Sequence, residues 1–196
     1  MDNLFQNINR LFNKSKLLPN LEVELRLGKK NRNMFDTNVG RDKFSKIKEA
    51  LDNYTSWEEV KHSNTSSYYV KDLRYELNED TDETKTIKKK KVSKYDCVLK
   101  NEPLDVRFSM SQEIPQPELD VENVTVEYMR QKERTSYIRK NLSIDLTIVS
   151  GTPDDSDDES DTSYEVEFEI VNPTLVQSEN NLYNIIYKIQ CILKTL

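Results

Sequence analysis

Apolar residues recur along this chain at two periods, and the switches between them divide it into helices and strands. Leu4, Phe5, Ile8, Leu11, Phe12 and the Leu17-Leu18 pair return at offsets of three and four. That spacing predicts an amphipathic helix over about 4–18, ended by Pro19-Asn20. Residues 21–28, LEVELRLG, alternate strictly, with Leu21, Val23, Leu25 and Leu27 on one face and Glu22, Glu24 and Arg26 on the other. Such alternation is a strand. Asp42 is placed to cap a helix over about 43–54, whose apolar face is Phe44, Ile47, Ala50, Leu51 and Tyr54. From residue 57 the texture is β: SWEEVKHS, SSYYVKDLRYELN, TKTIKKKKVSKYDCVL and LDVRFSMSQEI carry β-branched and aromatic residues between polar breaks. Pro115 and Pro117 mark a loop, and VTVEYMRQKERTSYIRK with LSIDLTIV reads as a hairpin turning near Lys140-Asn141. PDDSDDESD, 153–161, is an acidic low-complexity loop expected to be disordered. SYEVEFEIV, 163–171, is a second strictly alternating strand, and Leu182, Ile185, Ile186, Ile189, Ile192 and Leu193 predict a C-terminal helix over about 177–195. The pattern is α+β, mainly β: about eight mostly antiparallel strands with three helices, read as one domain over 1–196.

Composition removes several kinds of chemistry. The 196 residues are 35% apolar and 33% charged, yet 10 Tyr and 6 Phe supply enough bulk for a core. Twenty-nine Lys and Arg against 35 Asp and Glu leave −6, so any phosphate must be held by a local basic site rather than by the overall field. The single histidine, His62, excludes zinc sites built on several His and leaves a Ser-His-Asp mechanism one base. Gly28, Gly40 and Gly151 are too far apart for a P-loop or a G-x-G-x-x-G turn. Cys97 and Cys191 form no framework and fit a reducing compartment. No apolar run reaches membrane-spanning length and the N-terminus is no signal peptide, so the chain reads as soluble and intracellular.

The charges sit in rows. Residues two apart on a strand share a face, about 7 Å apart. By that rule Glu22, Glu24 and Arg26 form one row, and Glu165, Glu167 and Glu169 another. Tyr128, Arg130, Lys132 and Arg134 form a third, and Asp105, Arg107, Ser109, Ser111 and Glu113 a fourth. A single row of this kind is ordinarily a solvated strand face, and His62 is an ordinary structural or exposed residue. The Lys88–Lys91 run points to both faces. The combination says more. Two carboxylate rows in a confined space repel unless cations lie between them. Hard divalent ions, Mg²⁺ or Mn²⁺, take carboxylate oxygens, and an Arg-x-Lys-x-Arg row suits phosphate oxygens. A closed barrel could turn all these faces inward, giving a charged bore suited to phosphoryl transfer.

That combination resembles a family. LEVELR near the start and YEVEFEI near the end are similar to the paired glutamate motifs of the metal-dependent RNA 5′-triphosphatases, the fungal and large-DNA-virus branch of the triphosphate tunnel metalloenzymes. RQKERTSY at 130–137, IDLT at 144–147 and LDVRFSMSQEIP at 104–115 resemble the intervening strands, in family order over about 21–171. Bacterial-type relatives open with E-x-E-x-K, whereas Arg26 stands here, which favours the capping branch. One departure is Ser143, where the fungal motif has an Arg.

The resemblance implies an eight-stranded antiparallel β-barrel, the triphosphate tunnel, with flanking helices. It implies removal of the γ-phosphate from triphosphate-ended RNA, the first step of mRNA capping, and hydrolysis of nucleoside triphosphates. Carried over by motif, Glu22, Glu24 and Glu169 would hold the metal, Mg²⁺ or Mn²⁺. Glu165 and Glu167 would hold basic side chains or a metal-bound water. Lys132 and Arg134 would clamp the γ-phosphate with Arg130 beside them, Glu113 would orient or activate the attacking water, and Asp145 and Thr147 would buttress the basic row. A basic residue of 88–91 should also reach phosphate. Lys89 and Lys91 are favoured, although Ile87 and Val92 fall on opposite parities; Arg74 and Arg107 are further candidates. A guanylyltransferase is the implied partner. Compactness points to the viral branch, with the host cytoplasm or virion as its place. The alternatives are the same tunnel acting on tripolyphosphate or free nucleotides, and a non-catalytic barrel that binds polyanions.

Overall fold

The computed structural model describes residues 2–120, 123–151 and 162–196. Chain order is α1 (Asp2–Ser15), β1 (Leu21–Asn31), β2 (Met34–Asp36), α2 (Arg41–Asp52), β3 (Glu59–Val70), β4 (Leu73–Asn78), β5 (Thr84–Cys97), β6 (Asp105–Gln116), β7 (Tyr128–Arg139), β8 (Leu142–Ser150), β9 (Ser163–Ile170) and α3 (Glu179–Leu193). The strands pair in the order β1-β6-β5-β4-β3-β7-β8-β9, and β9 returns to pair with β1. Every pairing is antiparallel, so eight strands close a barrel, and β2 folds back on the end of β1 as a short ninth strand.

The hydrophobic core lies outside this barrel. Val23, Leu25 and Leu27 of β1 are fully buried, as are Val106, Phe108 and Met110 of β6 and Val166, Phe168 and Ile170 of β9. They pack with Ile144 and Leu146 of β8 against Leu4, Ile8 and Phe12 of α1, Phe44, Ile47 and Leu51 of α2, and the Leu/Ile face of α3. Burying each such side chain stabilises by ~1.5–3 kcal/mol. The helices thus shield the outer face of one half of the barrel, and the opposite strand parity turns polar residues into the bore. No helix among the described residues is long and apolar enough to cross a membrane.

Local departures from the expected elements have local causes. The first helix stops at Ser15, leaving Leu17 and Leu18 exposed. The second starts at Arg41 with Gly40 at its cap position, so Asp42 lies in its first turn and does not cap it. The third is shorter than 177–195 at both ends. In the β region the break falls at Lys71-Asp72, inside the expected SSYYVKDLRYELN strand, while 59–70 runs unbroken. Lys71 takes a left-handed conformation (φ 55°), as does Lys140 (φ 53°) in the β7–β8 turn. With three glycines in the chain, such turns fall to other residues at some conformational cost. Gly28 is where β2 folds back: a Cβ there would lie 2.1 Å from the Asp36 carbonyl oxygen. The acidic segment 153–161 lies outside the described residues.

Candidate active site

Strand register collects the charged rows in one bore. On β1, Glu22 pairs with Ser111, Glu24 with Ser109 and Arg26 with Arg107 of β6. Across the closing seam Glu24 pairs with Glu169 and Arg26 with Glu167. Asp145 and Thr147 of β8 lie beside Glu167 and Glu165 of β9. Arg134 of β7 lies beside Thr147, and Arg130 beside Ser67 of β3. Paired residues share a face, so all of these belong to the inner wall.

On the acidic side the carboxylates are individually tethered. Glu22 Oε2 accepts a hydrogen bond from Ser111 Oγ (2.8 Å) and an ion pair from Lys89 Nζ (2.5 Å). Glu24 Oε1 accepts from Ser109 Oγ (2.8 Å) and Oε2 from Arg26 Nη2 (3.0 Å). Burial alone would raise the Glu24 carboxyl; Arg26, Lys89 and Ser109 outweigh it and hold it below the usual range. Arg26 also reaches Glu167 Oε1 (2.7 Å) and, more loosely, Glu165 (3.9 Å). Glu165 in turn accepts from Thr37 Oγ1 (2.9 Å). Glu169 differs. No cation forms an ion pair with it among the described residues, and burial, reinforced by Asp145 and Glu22, pushes its carboxyl up to about 7.

The basic side faces a cavity of about 310 Å³ lined by Arg26, Arg74, Lys89, Arg130, Lys132 and Arg134 among others. Arg134 is fixed at three points: Nε donates to Thr147 Oγ1 (3.0 Å), Nη1 to Asp145 Oδ2 (3.4 Å) and Nη2 to Glu167 Oε2 (2.9 Å). Asp145 itself accepts from Ser143 Oγ at 2.5 Å, so this serine supports that carboxylate. Arg74 Nη2 donates to Glu113 Oε1 (2.6 Å). Lys132 has one ion-pair partner among the described residues, Glu76, at 3.6 Å. Burial pushes the Lys132 amine down, Arg74 and Arg134 add to that, and Glu76 opposes it.

Sequence reasoning passed over Glu76, and the structure puts it at the centre of the basic wall. Glu76 Oε1 lies 3.0 Å from Arg74 Nε and 3.4 Å from Ser67 Oγ, and Oε2 lies 2.8 Å from Lys85 Nζ. These cations overcome burial and bring its carboxyl down to about 2. The only signal in the sequence was its place two residues after Arg74, on the same face.

Two expected phosphate ligands stand apart from the cavity. Arg107 is on the inner face, but its Nε and Nη2 donate to Asp96 at 2.7 and 3.0 Å, and its guanidinium lies 4.7 Å from the Phe35 ring centroid. Its guanidinium is thus turned to Asp96 and the Phe35 ring rather than into that cavity. Lys91 shares the register of Ser111 yet is exposed and does not line the cavity. A bulge between Lys91 and Ser93 explains the clash of parities along this strand. Ile87 and Lys89 face inward before it, and Val92 beyond them packs against the outer core. His62 is exposed and hydrogen-bonded to Thr135, away from the bore.

The donor set for a cation is all hard oxygen. Glu22, Glu24 and Glu169 lie on adjacent strands, and Glu169 has no ion-pair partner among the described residues, the Arg134 charge offsetting its burial only in part, so a divalent ion would complete its charge balance. As placed, the carboxylates of Glu22 and Glu24 are turned to Lys89, Arg26 and the two serines, and no ready-made cluster of three metal-binding side chains occurs among the described residues. The residues fit such an ion in chemistry and in strand position.

A closed antiparallel barrel with its core outside and paired carboxylate and cation walls within has the triphosphate-tunnel fold. The chain belongs to the family of the mRNA capping enzyme, beta chain, whose model matches residues 3–185. It is 35% identical over 108 residues, 49% of its length, to the mRNA-capping enzyme subunit beta of Kluyveromyces lactis, and the match spans 19% of that relative. Its fold matches the S. pombe Pct1 RNA triphosphatase with a TM-score of 0.85 at 15% identity, over 98% of this chain and 93% of that one. It also matches the Mimivirus capping enzyme triphosphatase with a TM-score of 0.67 at 17% identity, over 99% and 98% of the two chains.

Proposed function

We propose that the chain is a divalent-metal-dependent polynucleotide 5′-triphosphatase, a phosphoanhydride hydrolase that removes the γ-phosphate of triphosphate-ended RNA before guanylyl transfer. One observation carries the reading: a cavity lined by Arg26, Arg74, Lys89, Arg130, Lys132 and Arg134 opens inside a barrel whose facing wall bears Glu22, Glu24 and Glu169. Membership of the capping beta-chain family supports it.

In this reading Lys132 and Arg134 neutralise the equatorial oxygens of the γ-phosphate. Thr147, Asp145 and Glu167 hold the Arg134 guanidinium in one orientation, so its fork is set before substrate arrives. Lys89, Arg74 and Arg130 take the inner phosphates. Glu113, fixed by Arg74, accepts a proton from the attacking water and aligns it with the anhydride bond. Water adds to the γ-phosphorus, the bond to the β-phosphate oxygen breaks, and orthophosphate and a diphosphate end leave. Glu22, Glu24 and Glu169 would hold Mg²⁺ or Mn²⁺, which when bound offsets charge on the phosphate oxygens. The tunnel and its helices act as one catalytic domain, and the diphosphate end is the substrate of a guanylyltransferase.

The test is phosphate release from RNA labelled at the γ-position, with Mg²⁺, Mn²⁺ or chelator. Release should require metal and should fall by at least roughly a hundredfold in Glu22→Ala, with the folded circular-dichroism spectrum retained. Metal-dependent release at the wild-type rate from folded Glu22→Ala would overturn the ligand assignment. No release from folded wild type with either metal would leave the charged walls as a polyanion-binding surface.

A further inference from the structure

Beside the cavity lies an aromatic pair that the proposed hydrolysis does not use: Tyr69 lines the cavity and Tyr128 stacks on it. Tyr69, near the end of β3, and Tyr128, at the start of β7, are register partners. Their rings are stacked, with centroids 4.2 Å apart and planes inclined by 14°. The Arg130 guanidinium lies 5.6 Å from the Tyr128 ring centre and 6.0 Å from that of Tyr69. Tyr69 and Arg130 line the same cavity as Lys132 and Arg134.

Three features separate this pair from ordinary packing. Neither ring belongs to the hydrophobic core. Both rings are only half-buried, and neither phenol hydroxyl hydrogen-bonds to another side chain among the described residues. Third, Tyr128 continues the phosphate row: Arg134, Lys132, Arg130 and Tyr128 alternate along one face of β7. Tyr128 therefore lies about 13 Å along the strand from Lys132. A polyphosphate with its terminal phosphate between Lys132 and Arg134 passes its inner phosphates along Arg130. In a nucleotide the nucleoside comes next, and it arrives at the tyrosines.

We propose that the Tyr69–Tyr128 stack, with Arg130 against it, receives the first nucleobase of a nucleoside-triphosphate substrate at the tunnel mouth. This rests on the polyphosphate reading of the cavity and adds the part of the substrate that distinguishes a nucleotide from inorganic polyphosphate. Stacking reads a π-face, which every base has, and a guanidinium adds a cation–π contact. The site therefore recognises that a base is present rather than which base it is.

The experiment compares inorganic tripolyphosphate, ATP and a triphosphate-ended oligoribonucleotide on wild type, Tyr128→Leu, Tyr69→Leu and Tyr128→Phe. The leucine variants should lose about 5- to 50-fold in kcat/KM, mainly through KM, on ATP and RNA. The rate of Tyr128→Leu on tripolyphosphate, its ring lying outside the cavity lining, should stay within about twofold, which also reports that the barrel is folded. Tyr128→Phe keeps the ring and should match wild type on all three. An equal loss on all three substrates would make the pair structural, and unchanged kinetics on ATP and RNA would remove it from the site. A loss confined to RNA would place the first base elsewhere. Equilibrium competition between ATP and tripolyphosphate runs in parallel and needs no turnover. An ATP preference in wild type that Tyr128→Leu lacks supports the stack even if no substrate is hydrolysed, so failure of the reaction and failure of the stack are told apart. No such preference overturns the proposal.

Discussion

Removing the charge of Glu76 tests the electrostatic logic of the basic wall. This carboxylate lies between Arg74, Lys85 and Lys132 and is 8% exposed. Its pKa of about 2 stands against an ordinary 4.5. At about 1.4 kcal/mol per pKa unit, its neighbours favour the ionised form by about 3 kcal/mol. The folded-state pKa is depressed, so this stabilisation is fully present above the unfolded-state value of 4.5 and is lost as pH falls through about 2. Glu76→Gln keeps the shape and removes the charge. It should cost about 3 kcal/mol at pH 7 by urea denaturation, and the gap to wild type should narrow by about 2 kcal/mol at pH 3. The substitution also acts on Lys132. That amine faces Arg74 and Glu76 from β4, Arg134 from its own strand and Glu167 from β9, and burial already pushes it down. Without Glu76 it falls further, so the alkaline limb of the phosphate-release profile should move to lower pH. A destabilisation of equal size at pH 7 and pH 3, or an alkaline limb that stays in place, would refute this account of the wall.

Two further substitutions test the frame around the site. Gly28→Ala puts a Cβ 2.1 Å from the Asp36 carbonyl oxygen and 2.5 Å from the Phe35 ring; it should cost about 2–3 kcal/mol in chemical denaturation by prising β2 from β1. Tyr137→Phe removes the bond from the Tyr137 hydroxyl to Asp52 Oδ1 at 2.5 Å, which ties β7 to the end of α2. It should lower stability by about 1–2 kcal/mol in a thermal melt while leaving phosphate release within about twofold of wild type.

The rows were legible because strict alternation gives a strand's two faces without any knowledge of its neighbours. Glu22, Glu24 and Arg26 separate from Val23 and Leu25 by parity alone, and the same holds for 165–169. What alternation cannot give is pairing. Arg74 and Glu76 look like any solvated pair until β3 and β5 bring Ser67 and Lys85 to their sides. Arg107 reads as one more basic residue until Asp96, beyond the β5 bulge, comes into register with it. The bulge left a trace, since Ile87 and Val92 cannot both be apolar on one face of a regular strand. The β3–β4 turn left less. Its left-handed residue is a lysine, so the usual Gly or Asn punctuation is missing.

Closure of the barrel explains why the paired glutamate motifs lie at opposite ends of the sequence. The β1–β9 seam registers three residue pairs, Glu24 with Glu169, Leu25 with Phe168 and Arg26 with Glu167, whereas β1–β6 registers eight. So short a seam has few backbone hydrogen bonds to hold it. On its outer side Leu25 and Phe168 are fully buried in the core, and on its inner side Arg26 ties Glu167 at 2.7 Å. Burying those charges is unfavourable unless they are paired, and only the closed barrel brings Arg26 and Glu167 together. The residues that close the tunnel are therefore those that form its acidic wall. First and last strands meet there because the sheet curls round on itself, and Glu169 is left on that seam without a cation partner among the described residues, at the place where the donor set would take a divalent ion.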